Sequence, residues 1–122
     1  MAAMANTLVN DAAINNVIAY IETFPDTPAP ATVQGDIKNG AKLYTTCAAC
    51  HGYTGEGIWS MNAPRQSGMS DWYLAAQLIN FKQGIRGRHP QDRYGPQMAL
   101  MARTLKDDEA INDVIAYINT LQ

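Results

Sequence analysis

Five residues, Cys47-Ala48-Ala49-Cys50-His51, constrain this chain more than any other feature. The spacing is C-x-x-C-H, by which c-type haem is attached. Two thiols on one turn of helix can each form a thioether with one of the two vinyl groups on a porphyrin edge. The next residue, His51, then falls beneath the iron and can give it an imidazole nitrogen. Cys47 and Cys50 are the only cysteines, so no second pair remains for a disulfide or a four-cysteine zinc site. A thioredoxin-like redox pair belongs beside a strand–helix–strand pattern, and no strand-like alternation occurs here. A structural zinc site wants two further ligands at short spacing, but the only other histidine is His89. The motif therefore points to one covalently bound haem c.

With 122 residues the chain allows one domain and some excess, and 47% hydrophobic residues suffice for a small core that a porphyrin would enlarge. No run approaches about 18 apolar residues, so no membrane span is expected. A formal charge of −2, without a Lys/Arg-rich stripe, gives no reason to expect nucleic-acid binding. The charge is uneven, however. Lys82, Arg86, Arg88, Arg93, Arg103 and Lys106 face only Asp92 in their stretch, and Asp107, Asp108, Glu109 and Asp113 follow. That pattern reads either as a solvated loop before an acid-rich helix start or as a basic collar that pairs with a propionate or steers an acidic partner. The residues after Met1 lack a charged n-region, an apolar h-region and a small-residue cleavage site. Haem attachment of this type belongs to an exported, oxidising compartment, so the chain reads as a periplasmic protein without its signal peptide.

Residues 1–24 repeat residues 98–121, with 16 identities over the 24 positions. Met1, Met4, Thr7 and Leu8 align with Met98, Met101, Thr104 and Leu105, and Val17-Ile18-Ala19-Tyr20-Ile21 with Val114-Ile115-Ala116-Tyr117-Ile118. Self-similarity at a fixed offset marks a duplicated unit, yet no C-x-x-C-H precedes the first copy. The expectation is that 1–24 is the closing segment of a preceding haem domain, 25–35 a Pro-rich semi-rigid linker, and 36–122 the complete domain. Both copies read as amphipathic helix, with Asn10 and Asp107 as N-caps. A duplicated sealing helix could take its counterpart's place on a neighbouring copy, giving a homodimer through residues 1–24, or could pack on the domain's own surface.

In the main domain a short helix is expected from Asp36 to Thr46, where Gly40 signals a close helix crossing near Tyr117. Residues 52–70 read as loop. A helix follows from Asp71 to Gln83 with Ser70 as cap, Leu74, Leu78 and Phe81 on one face and Gly84 as stop. Residues 84–96 are again loop. The fold class is all-α, with helices wrapped around one haem.

Residues 36–122 resemble a class I c-type cytochrome: a helix with Gly40 and Tyr44 ahead of Cys47-x-x-Cys50-His51, a proline loop with Pro64, a middle helix, and a methionine before a last helix with Tyr117. With the partial repeat, the chain resembles one and a quarter domains of the tandem, dihaem members. The resemblance implies a class I cytochrome c fold and a second axial ligand from a methionine. Met98 stands seven residues before Leu105, as in similar tandem cytochromes, with Met101 as the competitor and His89 the remaining candidate. It also implies that a backbone carbonyl in the Pro64 loop takes the other ring proton of His51. Met61 and Met69 are expected in the core, Met1 and Met4 without an iron, and Trp59, Arg65, Trp72 and Tyr73 either at the haem edge or in packing.

Iron held by histidine and methionine has no free coordination position. The expected function is therefore a single-electron carrier in a respiratory or periplasmic chain, with redox proteins as partners. The alternatives are an electron-entry module of a larger redox enzyme, or a ligand-sensing haem domain with an open distal site. Glu56, Asp71 and Asp92 are isolated acids, so no catalytic residue is expected.

Overall fold

The computed structural model describes residues 2–25, 27 and 30–121. Met1, the counterpart of Met98, and Asp26, Pro28 and Ala29 of the linker lie outside the described residues. The helices are α1 (Ala2–Ala5), α2 (Asp11–Ile21), α3 (Ile37–His51), α4 (Asp71–Gln83), α5 (Gly95–Ala102) and α6 (Asp108–Ile118). Among the described residues extended pairing is limited to one isolated bridge between Ile58 and Ala63. The all-α expectation holds.

Helix α3 starts where Asp36 accepts hydrogen bonds from the Lys38 and Asn39 amides, an N-cap that satisfies two otherwise orphaned donors. It runs past the expected end at Thr46 and carries the whole C-x-x-C-H motif in its final turns. Helix α6 crosses it closely. A side chain at Gly40 would overlap the Asp113 carbonyl and crowd Cβ of Tyr117, so only glycine lets the two backbones approach this far. The Tyr44 and Tyr117 rings meet at 5.3 Å between centroids, within the range of favourable tilted pairs.

Ile111, Val114, Ile115 and Ile118 of α6 are buried against this crossing, Ile115 completely. At about 1.5–3 kcal/mol per fully buried aliphatic side chain, they form the largest coherent block of the core. Helix α4 adds Leu74, Leu78 and Phe81 and packs on both α5 and α6. It ends at Gly84, whose left-handed φ of 72° lets its N–H turn back to the Asn80 and Phe81 carbonyls. Ser70 precedes α4 without a side-chain capping bond, contrary to expectation.

The linker is not loose throughout. The Asp71 carboxylate accepts from the amides of Thr32 and Val33, from the Thr32 hydroxyl and from the Trp72 amide. Burial alone would raise the Asp71 carboxyl, but the Val33, Thr32 and Trp72 hydrogen bonds outweigh it and hold it down at about 2. Asp113, also buried, accepts from the Asp36 amide at 2.7 Å and the Asn39 side chain at 2.8 Å. These two acids fasten the end of the linker and the start of α3 to α4 and α6.

The repeat is visible as structure. α2 and α6 have matching limits, and the caps Asn10 and Asp107 accept from the Ala13 and Ala110 amides, each at 2.9 Å. Thr7 and Thr104 each donate to the carbonyl three residues back at 2.7 Å. No residue of α1 or α2 is buried.

Candidate functional site

The end of α3 presents Cys47, Cys50 and His51 to one cavity of about 390 Å³, a size typical of ligand pockets. One wall is Leu74, Leu78 and Phe81 of α4. A second is the loop from Met61 to Gln66. The third is Gly95, Met98 and Met101 of α5 with Tyr94 just before it. Five sequence-predicted residues, Cys47, Cys50, His51, Pro64 and Met98, thus line a single space.

His51 is buried, and its Nδ1 lies 2.8 Å from the Pro64 carbonyl. A carbonyl can only accept, so Nδ1 carries the proton and donates it. The lone pair is left on Nε2, the nitrogen free to bind a metal. Gly57 makes this approach feasible. Its amide donates to the His51 carbonyl at 2.8 Å, and at φ 80° its α-carbon sits against the Ala63–Arg65 backbone without room for a side chain. Tyr44 braces the same corner by donating its hydroxyl to the Gly52 carbonyl at 3.0 Å. Burial, then the neighbouring Cys47, Glu56 and Tyr117 groups, push this phenol up to about 12, so it remains a donor.

Cys47 and Cys50 are half-buried, free thiols, and burial pushes Cys47 up. Two thiols one turn apart beside an apolar wall fit covalent haem c: they can take two thioether bonds while His51 Nε2 remains for iron. The cavity also contains an acceptor without a partner. The side-chain oxygen of Gln66 is buried and makes no hydrogen bond, as expected of a group whose partner is a bound molecule.

The remaining expectations divide. Arg65 and Tyr73 line the cavity, whereas Trp59 is 95% exposed and Trp72 63% exposed, and neither lines it. Met61 and Met69, expected in the core, line the cavity instead. Met101 lines the cavity beside Met98 rather than lying in the core. His89 is exposed, lies away from the cavity lining and accepts from the Gln91 amide. Of the basic collar only Arg86 reaches the cavity, stacked 4.7 Å over Phe81 and donating to Gln77. Lys82 is instead used structurally, donating to the Leu105 carbonyl at 2.6 Å. Sequence reasoning missed Gln66, Gln77 and Asn62, for which a lone amide carries no motif.

Residues 37–122 match the family model for cytochrome c. A thiosulfate dehydrogenase electron acceptor from Stutzerimonas stutzeri (strain A1501) is 41% identical over 63 residues, 52% of this chain and 27% of that protein. Cytochrome c4 of Thiocapsa roseopersicina is 36% identical over 96 residues, 75% of this chain and 43% of its own length. Cytochrome c-554(548) of Halomonas halodenitrificans (strain ATCC 12084 / NCIMB 8669) is 32% identical over 88 residues, 70% of this chain and 96% of its own length. The chain therefore spans less than half the length of the first two. Helices closing on a C-x-x-C-H turn, the family model and these relatives together show that this chain belongs to the cytochrome c family, as a class I c-type cytochrome that carries haem c covalently.

Proposed function

We propose that the chain carries single electrons between redox proteins of a respiratory or periplasmic chain, where Cys47 and Cys50 would attach the haem and His51 and Met98 would hold its iron. Bound haem c supplies a one-electron Fe(III)/Fe(II) couple, whose potential a methionine thioether raises. The observation that carries the reading is the buried His51 with its Nδ1–H given to Pro64, in a cavity that Met98 also lines. The protein's own part is positional. Pro64 fixes the tautomer and ring plane of His51, α4 excludes water with Leu74, Leu78 and Phe81, and α5 brings Met98 in on its first turn after Pro96.

If His51 and Met98 both held the iron, no position on it would be left for a substrate, and the chain would act as a carrier rather than as an enzyme or sensor. One relative is named as the electron acceptor of a dehydrogenase, which supports reading oxidoreductases as the donors. Residues 1–24 read as the closing segment of a preceding haem domain, supported by the matched limits and caps of α2 and α6. The exposed apolar face of α2 is what would support a homodimer through that segment.

The test is an absorption spectrum of oxidised and dithionite-reduced holoprotein, wild type beside Met98→Ala. The expected result is a far-red oxidised band in wild type that vanishes in the variant. Retention of the band in Met98→Ala, with loss in Met101→Ala, reassigns the ligand. A high-spin wild type that binds carbon monoxide rapidly overturns the carrier reading.

A further inference from the structure

We propose that α2 is a second occupant for the seat that α6 fills on α3 of the same chain, held out in the resting protein by two polar differences. The apolar residues of the two helices coincide: Ile14, Val17, Ile18 and Ile21 stand where α6 has Ile111, Val114, Ile115 and Ile118, and Tyr20 stands where Tyr117 meets Tyr44. On α6 these aliphatic residues are at most 3% exposed, whereas on α2 they are 40–54% exposed. The α2 face thus copies the recognition surface that fits Gly40 and Tyr44, and Ala19 retains the small residue found at Ala116.

The connection reaches. Ala116, Asn119 and Thr120 at the end of α6 share one groove with Ala31, Val33, Gly35 and Ile37. The end of an α2 helix in that seat would therefore stand beside residues 31–37. Residues 22–30 span up to roughly 30 Å when extended, ample for that placement.

Two positions decide the competition. Asp113 offers two carboxylate oxygens to the Asp36 amide and the Asn39 side chain, and α2 has Asn16 there, with only one acceptor. Asn119 donates to the Asp71 carboxylate at 3.4 Å, and α2 has Glu22 there, which would set like charges together. Each difference favours α6, the first by roughly tenfold or more in occupancy.

The experiment uses full-length holoprotein in which α6 is disabled by Ile115→Asp. It is compared with Ile115→Asp/Ile18→Asp and with Ile115→Asp/Asn16→Asp/Glu22→Asn. The readouts are the fraction retaining sharp reduced bands after limited proteolysis, and mass by light scattering. The expected result is partial retention in the first variant, loss in the second and roughly tenfold higher folded fraction in the third, all monomeric. Equal loss in all three overturns the proposal. Retention that rises with concentration and appears in dimers also overturns it, moving the contact to a second copy. Neither readout depends on whether Met98 is the ligand.

Discussion

Helices α2 and α6 are nearly the same sequence in two circumstances, differing only at Ala12/Glu109 and Asn16/Asp113. They share limits, caps and aliphatic positions, yet α6 is the most buried helix of the protein and α2 has no buried residue. Local physics is sufficient to place both caps and both ends, since the cap hydrogen bond and the first-turn geometry need no third body. Burial is a different matter. It depends on whether a glycine-bearing partner helix is within reach and unclaimed, and propensity carries no information on that point. The comparison separates what an amphipathic helix is from what it is attached to.

The largest expected effect comes from the same truncation made at equivalent positions. Ile115→Ala should cost about 2–5 kcal/mol through lost burial and a residual cavity, and Ile18→Ala within about 0.5 kcal/mol. Urea unfolding followed at the haem absorbance measures both, and similar costs would show that α2 is packed in solution. A smaller effect sharpens the polar contrast. Asp113→Asn, which gives α6 the residue of α2, should cost about 1.5–3 kcal/mol by removing a charged acceptor from the start of α3, while Asn16→Asp should leave the midpoint unchanged.

Smaller again is the acid response of Asp71, which ties the linker end to the haem domain. Its folded pKa, about 2, lies below its ordinary 3.8. The stability it contributes is therefore complete above about pH 4 and disappears as pH falls towards 2. Wild type should lose part of its stability over that window, and Asp71→Asn should lose roughly 1–2 kcal/mol at neutral pH and show a flatter acid profile. An unchanged acid profile would mean that residues 31–33 are held by something other than this carboxylate.

Much of this was legible in the chain. The C-x-x-C-H spacing, the Gly40 crossing, the limits of α4 and the two Asx caps each rest on a local rule that reads directly from residue type. Helix α5 was not legible, because Gly95-Pro96 looks like turn chemistry until Pro96 is seen as the first-turn proline of a helix. The place of Met61 and Met69 on the cavity wall was not legible either, since a loop methionine serves equally as core filler or as cavity lining. Asp71 looked like an isolated acid, and Asp113 like one of the acids at a solvated helix start. Their partners are main-chain amides from distant segments, and an amide has no signature in sequence.

The crossing of α3 and α6 also has a temporal side. It joins segments separated by residues 52–107, 56 residues, whereas α2 is separated from α3 by residues 22–36, only 15. Closing the shorter loop costs less entropy by about 1 kcal/mol. In order of synthesis, α2 and α3 are both complete before the first residue of α6 is made. The stronger occupant of the seat is thus the last to arrive.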